Sequence, residues 1–540
     1  MRGWLTQRRL LILALGTLAA LPIMAAACYA LTDDWVPLGD NAFIGIRAYD
    51  VFTGRSPLVG QRSSGASDVL SETVYSPGPL LFWLLAVPVR LPDPAFLALT
   101  AAAVNVASAA GSVALAFRRG GWPLSVATAL AIPVMLASLP AGTYADIWNS
   151  SAPLLPLMLL VFLAWSVACG EFRLLPVAVL VASFAIQSHL TFVAPAVGLV
   201  VVALAVAVAF GSARRWPRRW VVATLVVAAV CWSAPLVDQA VNRPGNLVTL
   251  VRSQTNDEPS IGLHSGWKAV VRMVGIPPWW LRDDRDALDR IADLTRRPSP
   301  LAIGSAALVL AGLAAIALLG WRRRRADLVA AGALGLTLCA ASAVAASSTP
   351  VASFGTVGYT LRWTSPIGMC VWLLLGWGIA VLAAPRLSAL IPRGRLAAAA
   401  ALGATALVGT LIAIRENPPA PKAYQPMGII ADRLAKALPA TGGTRVVPVT
   451  TLSSLGLTSE LEAGTVFWLR RSGRQVVTSH HVADRLSADY EHGSYDRVVH
   501  IAVDAAPPKG GRVLARFRRI DDVDHTTVHR VIVTLSERRP

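Results

Sequence analysis

The sequence predicts an all-α polytopic membrane domain followed by a C-terminal α/β domain. Hydrophobic residues make up 55% of the 540 residues and charged residues only 15%, with a mean hydropathy of +0.56. So few charges cannot solvate the surfaces of several soluble domains. Apolar runs of about 20 residues, the length that crosses a hydrocarbon core, recur from residue 10 to residue 414. Because the composition becomes that of a soluble domain after Arg415, we divide the chain into a transmembrane domain, 1–414, and a soluble domain, 415–540.

The net charge reflects how the chain is arranged in the membrane. Subtracting 31 acidic from 49 basic side chains gives +18, a value that in a soluble chain would suggest nucleic acid. Here the arginines lie in short clusters between apolar runs, which is typical of cytoplasmic loops beside anionic lipid. We therefore expect membrane lipids among the partners and no nucleic acid. All five cysteines lie inside apolar runs without a CxxC pair, so redox chemistry is not expected.

The basic clusters set the predicted orientation. The first apolar run, 10–31, follows three arginines, and no convincing small-residue cleavage site comes after it, so we interpret it as a retained span. An even number of crossings must separate neighbouring cytoplasmic clusters. These clusters are Arg118-Arg119, Arg173, Arg214-Arg215 with Arg218-Arg219, Arg322 to Arg325, and Arg386 with Arg393 and Arg395.

The apolar run 77–91 is interpreted as a helix in or dipping into the outer leaflet. It is shorter than a span and ends among Pro88, Arg90 and Pro92. A crossing here would also place Arg118-Arg119 outside the cell. The remaining runs give about eleven crossings in total. The predicted spans are 10–31, 95–117, 122–140, 153–170, 174–190, 192–211, 220–236, 299–320, 327–346, 364–384 and 396–414.

This arrangement predicts a multi-pass protein of the plasma membrane with a cytoplasmic N-terminus and an extracytoplasmic C-terminal domain. It leaves two long outer loops, 32–94 and 237–298. In the second loop, residues 279–297 place apolar side chains on one face and charged side chains on the other. Two interpretations stay open for this segment: an interfacial helix anchored by Trp279 and Trp280, or a surface helix packed on the extracytoplasmic domain.

The sequence of the C-terminal domain predicts an α/β fold. A Pro-rich linker at 417–421 precedes helices predicted at 427–438 and 455–470. Strands are predicted at 445–449, 474–478, 496–503, 512–519 and 528–535. The domain holds six of the eight histidines, including His480-His481, His492 and His500. Since these histidines form no tight repeated motif, scattered surface histidines are favoured over a metal site.

Two acidic residues beside predicted spans are candidates for chemistry. Asp40 follows Gly39 just after the first span, where it could cap a short helix or act as a functional carboxylate. Asp146 lies in the sequence Thr143 to Asn149, ahead of the span that begins near Pro153. For Asp146 the alternatives are capping the following helix, steering an acceptor or assisting a base.

Residues 40–85 resemble the first outer loop of the GT-C glycosyltransferases. The resemblance rests on Asp40, the stretch Phe52 to Pro57 and the stretch Tyr75 to Leu84, and it extends to Thr143–Asn149 before fading near residue 220. The branch most similar to these motifs contains the protein O-mannosyltransferases and aminoarabinose transferases, which use polyprenyl-phosphate sugars. The resemblance implies a GT-C-like fold, a polyprenyl-phosphate-linked sugar donor, and an extracytoplasmic glycan, lipid or protein acceptor.

The same resemblance implies roles for the two carboxylates. An inverting transfer needs a base for the acceptor hydroxyl, which the resemblance assigns to Asp40, with Asp146 as the supporting acid. Asn41 stands where the branch commonly has a second acid, which weakens a divalent-metal site without closing that question. Ser76 stands where aminoarabinose transferases carry a lysine, which argues against an aminoarabinose donor.

A departing lipid phosphate needs positive charge or a metal. Arg362 is the candidate we favour, since it is the lone charge between two predicted spans, although a snorkelling interfacial arginine would look the same. His189 at the end of its span is another candidate, unless it simply bonds a neighbouring carbonyl. The predicted substrate-binding residues are Arg47, Arg62, Tyr75, His189, Tyr359 and Arg362.

The main alternative to a glycosyltransferase is a secondary transporter or lipid flippase. Transporters usually carry ionisable residues at mid-membrane, whereas the acidic residues here gather at one surface, which counts against transport. A non-catalytic envelope scaffold is a third hypothesis. An outer-leaflet cavity lined by Asp40 and Asp146 would favour the enzyme over both.

Overall fold

The computed structural model describes most of the chain. The described residues are 2–70, 72–211, 217–255, 258–282, 287–387, 395–415, 424–439, 442–451, 454–521 and 527–537. The predicted basic cluster residues Arg214, Arg215 and Arg393, and the predicted linker 417–421, lie outside the described residues.

The part of the chain up to residue 415 is helical. Its helices are α1 (Arg2–Ala19), α2 (Leu21–Thr32), α3 (Gly39–Asp50), α4 (Ser64–Leu70), α5 (Leu80–Leu85), α6 (Ala95–Leu136), α7 (Leu154–Ala168), α8 (Leu175–Ser188), α9 (Val193–Ala209), α10 (Arg218–Val241), α11 (Asn246–Gln254), α12 (Gly262–Val274), α13 (Ala287–Thr295), α14 (Pro300–Arg322), α15 (Ala326–Ser347), α16 (Val357–Thr360), α17 (Thr364–Leu387) and α18 (Arg395–Arg415).

Each predicted span coincides with a helix or part of one. The first corresponds to α1 and α2, which meet at a bend of 55°. Helix α6 covers two predicted spans, separated at Gly121, whose φ of 65° and ψ of −156° are not helical. A residue with a side chain rarely adopts this conformation, so glycine permits the reversal between the two halves.

The described helices make this a multi-pass membrane protein. Six of them are long and apolar enough to cross a bilayer, or seven if α1 and α2 form one bent span. Three further apolar segments, 154–168, 172–188 and 402–414, are shorter. The figure of about eleven crossings therefore stays a prediction. Helix α5 has six residues and is roughly 9 Å long, too short to cross, which agrees with the interpretation of 77–91.

The C-terminal region is α/β, as predicted. It contains α19 (Tyr424–Ala437), β1 (Gly443–Thr450), α20 (Leu455–Arg471), β2 (Gln475–Val477), α21 (His480–Leu486), β3 (Arg497–Val503), β4 (Arg512–Asp521) and β5 (Thr527–Glu537). The sheet order is β2-β1-β3-β5-β4. Strand β1 runs parallel to β2 and β3, while β5 is antiparallel to β3 and β4. Helix α21 was not among the predicted elements.

The C-terminal region packs directly on the first outer loop. Helix α20 lies against α3, and a side chain at Gly45 would come within 2.7 Å of the Phe467 ring. Asp50 is buried and accepts hydrogen bonds from Arg470 (2.8 and 3.0 Å) and from the Tyr490 hydroxyl (2.6 Å). These contacts fix the loop that carries Asp40 to the C-terminal domain.

The described residues 279–282 and 287–297 test the interpretation of this segment as an interfacial helix. Trp279 is fully buried, and its Nε1 donates to Asp293 at 2.8 Å, so the predicted anchoring of Trp279 at a membrane interface is wrong. Arg290, also fully buried, lies 4.8 Å from the centre of the Trp279 ring and donates to Ser365. Helix α13 packs against α12 and α16.

Candidate active site

Asp40 lies in the first turn of α3, and its carboxylate reaches two other segments. Oδ1 accepts a hydrogen bond from Arg485 Nη1 at 2.9 Å, and Oδ2 accepts one from Trp148 Nε1 at 3.0 Å. Leu38, not Asp40, occupies the N-cap position of α3, so the simple capping role for Asp40 is wrong. The side chain is 37% exposed. The carboxylate is therefore held at a defined position and stays accessible.

Asp146 lies behind this carboxylate in the loop before α7. Its Oδ1 accepts hydrogen bonds from Asn41 Nδ2 at 2.9 Å and from the Trp148 backbone N–H at 3.0 Å. Burial raises the pKa of Asp146, and the hydrogen bonds and the charge of Arg362 oppose that shift. Asp146 thus links the residue after Asp40 to the segment that carries Trp148.

A cavity of about 540 Å³ opens beside Asp40. The first outer loop, the segments before α7 and α9, and helix α21 contribute to its wall. The end of α11, residues 258 and 260, and the end of α15 with the following turn complete the wall. Among the predicted site residues, Asp40, Arg62, His189 and Tyr359 line the cavity. The other predicted site residues lie outside its lining: Asp146, Arg47, Tyr75 and Arg362.

Arg47 and Tyr75 support the first outer loop. Arg47 is buried, donates to the Leu486 and Val59 carbonyls, and lies 5.9 Å from the centre of the Tyr75 ring. Burial lowers the pKa of this guanidinium. The Tyr75 hydroxyl donates to the Asp484 carbonyl at 3.3 Å. Both side chains therefore contact the C-terminal domain.

His189 and Tyr359 face the cavity as neutral groups. His189 lies between α8 and α9, where its Nδ1 accepts from the Thr191 backbone N–H at 3.3 Å. Burial lowers the pKa of His189 to about 4, so at pH 7 this ring supplies no positive charge. The Tyr359 ring lies 4.7 Å from the Trp148 ring, and burial raises the pKa of its hydroxyl.

Arg362 lies in the turn that precedes α17. It is half-buried, and its backbone N–H donates to the Tyr359 carbonyl at 3.1 Å. Its charge lowers the pKa of Asp146, and Arg362 does not line the cavity.

Three residues of the site were not predicted. Arg485 contacts Asp40, and its neighbour Asp484 forms an ion pair with Arg62, with 2.8 Å between Oδ2 and Nε. Both belong to α21, more than 400 positions away along the chain, and one sequence carries no signal for such a contact. Trp148 belongs to the segment Thr143–Asn149 that carries Asp146, but the sequence does not indicate that its indole N–H bonds to Asp40.

The residues around the two carboxylates do not make a metal site. Within the described ranges, no group of three or more His, Cys, Asp or Glu side chains is placed to hold a metal ion. The partners of Asp40 and Asp146 are N–H donors instead: Arg485, Trp148 and Asn41. Such donors compete with a cation for the carboxylate oxygens.

Comparison with protein-family models gives no match, and comparison with curated protein sequences gives none. Several solved structures resemble the chain, including these two. One is ArnT from Cupriavidus metallidurans bound to undecaprenyl phosphate, with 14% identity, 98% of each chain covered and a TM-score of 0.48. The other is the archaeal oligosaccharyltransferase AglB from Archaeoglobus fulgidus in complex with an inhibitory peptide and a dolichol-phosphate, with 12% identity, 88% of this chain and 69% of that chain covered, and a TM-score of 0.32.

At these identities and TM-scores, neither likeness carries an argument about this chain.

Proposed function

We propose that this protein is an integral-membrane glycosyltransferase that moves a sugar from a polyprenyl-phosphate donor to a hydroxyl group of an extracytoplasmic glycan, lipid or protein. The observation that carries the proposal is the position of Asp40. Its carboxylate lies in the wall of a cavity of about 540 Å³, fixed by Trp148 and Arg485, with a second arginine, Arg62, in the same wall. A base and cations at one cavity are what this transfer requires.

In the proposed reaction, the acceptor oxygen attacks the anomeric carbon while the bond from that carbon to the donor phosphate breaks. The hydroxyl proton passes to the Asp40 carboxylate, and the lipid phosphate leaves with the electron pair. The bond from Trp148 holds Oδ2, and Oδ1 is the oxygen that takes the proton. An attack opposite the leaving phosphate inverts the sugar carbon.

Asp146 is assigned a positioning role instead of direct contact with substrate. It lies outside the cavity lining, and its hydrogen bonds reach Asn41 and the Trp148 backbone. These contacts hold the first turn of α3 beside the Trp148 segment. Because catalysis depends on positioning to within about 0.5 Å, loss of this link reduces the rate without removing the base.

The proposed extracytoplasmic location of the site is supported by the two ends of α7. Asp146 and Trp148 precede this helix, while Glu171 follows it and contacts Arg118, Arg119 and Arg173. A helix of 15 residues separates the two ends by roughly 23 Å. The arginine cluster predicted to face the cytoplasm thus lies at the end of α7 opposite the carboxylates.

The test measures release of polyprenyl monophosphate from a panel of polyprenyl-phosphate hexoses and pentoses. The purified full chain in detergent is supplied with cell-envelope extract as the acceptor source. We expect Asp40→Asn to lower kcat by about 100-fold or more. Asp34→Asn is the matched control, since Asp34 belongs to the same loop, is exposed and does not line the cavity. Full activity in Asp40→Asn would remove the base assignment, and no release from any donor by the wild type would remove the proposed function.

A further inference from the structure

Helix α21 brings two consecutive charged residues of opposite sign to the cavity region. Asp484 forms an ion pair with Arg62 of the first outer loop, and Arg485 donates a hydrogen bond to Asp40. The Arg62 and Arg485 side chains are 20% and 26% exposed, and both line the cavity. The C-terminal domain therefore contributes a cation to the cavity wall, and that cation is bound to the proposed base.

The contact between Arg485 and Asp40 is strong enough to position both groups and weak enough to be exchanged. It runs through one nitrogen, Nη1, at 2.9 Å to Oδ1. A guanidinium carries five N–H donors in a planar fork, and phosphate oxygens match that fork in a bidentate arrangement. A partly exposed ion pair contributes little to stability, because water screens both charges. A phosphate that enters the cavity can therefore displace the carboxylate.

We propose that Arg485 is the phosphate-binding residue of the site, and that the donor phosphate takes Arg485 away from Asp40 when it binds. The inference rests on the proposed function and adds a sequence of events to it. In the free protein, Asp40 Oδ1 is occupied by Arg485. Once the donor is bound, that oxygen is available to the acceptor hydroxyl while Trp148 still holds Oδ2.

A purely structural clamp between the two domains would give a different result when Asp40 loses its charge. In a clamp, Asp40→Asn only removes a negative charge from the cavity wall, so any tightening of anion binding should persist when Arg485→Gln is added. In the exchange mechanism, Asp40→Asn removes the competitor for Arg485, so the tightening should disappear when Arg485→Gln is added. The double substitution thus separates the two roles.

The experiment measures binding of ³²P-labelled polyprenyl monophosphate to the full chain in detergent micelles. We expect Arg485→Gln to weaken binding about ten-fold or more, the size of a lost hydrogen bond to a charged group. Arg485→Lys keeps the charge without the fork and should fall between wild type and Arg485→Gln. Asp40→Asn should tighten binding about two- to five-fold, and should have no such effect when combined with Arg485→Gln.

The matched control is Arg497→Gln. Arg497 is in the same domain, forms an ion pair with Glu537 at 2.8 Å and is 28% exposed, close to the 26% of Arg485, but it does not line the cavity. Its substitution should leave lipid-phosphate binding at the wild-type value. A loss equal to that of Arg485→Gln would show a general effect on the domain and overturn the assignment.

Two further measurements identify which chemical group of the ligand is bound. Inorganic phosphate at equal concentration should not displace the labelled lipid. If it displaced the lipid at the same concentration, the site would recognise free phosphate, and the lipid assignment would be overturned. Wild-type affinity in Arg485→Gln, or no tightening in Asp40→Asn, would also overturn the inference while leaving the proposed function intact. If the wild type bound the uncharged polyprenol as tightly as the monophosphate, the proposed function itself would fail.

Discussion

The ion pair between Asp50 and Arg470 should be the strongest single polar contact between the first outer loop and the C-terminal domain. Asp50 is 2% exposed and Arg470 13% exposed. One carboxylate oxygen accepts two bonds from Arg470, and the other accepts one from the buried hydroxyl of Tyr490. Asp50→Ala removes all three bonds and leaves a cation and a hydroxyl buried without their partner.

Breaking a buried pair in this way costs about 3–5 kcal/mol. We therefore expect Asp50→Ala to lower the free energy of unfolding by that amount. A suitable measurement is unfolding of the full chain in mixed detergent micelles, followed by tryptophan fluorescence. In an Arg470→Ala background the cost of Asp50→Ala should be smaller, because no buried cation is then left behind.

Glu537→Ala is the control, since Glu537 is 79% exposed in its pair with Arg497. An exposed pair contributes about 0–1 kcal/mol. The reasoning is refuted if Asp50→Ala costs no more than Glu537→Ala, or if its cost is the same with and without Arg470.

Three other predictions concern single contacts. Trp148→Phe removes the indole N–H bonded to Asp40 and should lower kcat about 10-fold, with the binding of polyprenyl monophosphate unchanged; an unchanged kcat would contradict the role of this bond. Gly45→Ala should destabilise the protein by about 1–3 kcal/mol because its new side chain meets the Phe467 ring, and Phe467→Leu should restore part of the loss in thermal unfolding. Burial raises the pKa of Asp146. The contribution of Asp146 to the free energy of unfolding is therefore fully present below the ordinary carboxyl pKa of about 4, and it is lost as pH rises through the raised pKa. Asp146→Asn should flatten this decline when the free energy of unfolding is measured against pH.

The membrane helices and most of the C-terminal elements follow from local patterns. Apolar runs correspond to α7, α10 and α14, and short runs rich in Val and Ile correspond to β3 and β5. Residues 77–91 were predicted not to cross, and the six residues of α5 agree with that. These features depend on neighbouring residues along the chain, so one sequence is enough to predict them.

The candidate site was only partly predictable. The position of Asp40 after the first span marked it as a candidate, but α21 is a helix of seven residues, too short for its periodicity to be recognised. Its contact with Asp40 joins positions 485 and 40, a separation across which a single sequence gives no information. The neutral state of His189 follows from its burial, which also depends on the tertiary structure.

Two ion pairs, Asp484 with Arg62 and Arg485 with Asp40, limit how this protein can be re-engineered. A chimaera that exchanges the domain after residue 415 for that of a homologue would place a foreign helix beside Asp40, even with every membrane segment native. Such grafts should therefore retain the Asp484-Arg485 dipeptide, since a transplant without it would lack the arginine that orients the Asp40 carboxylate in the free protein.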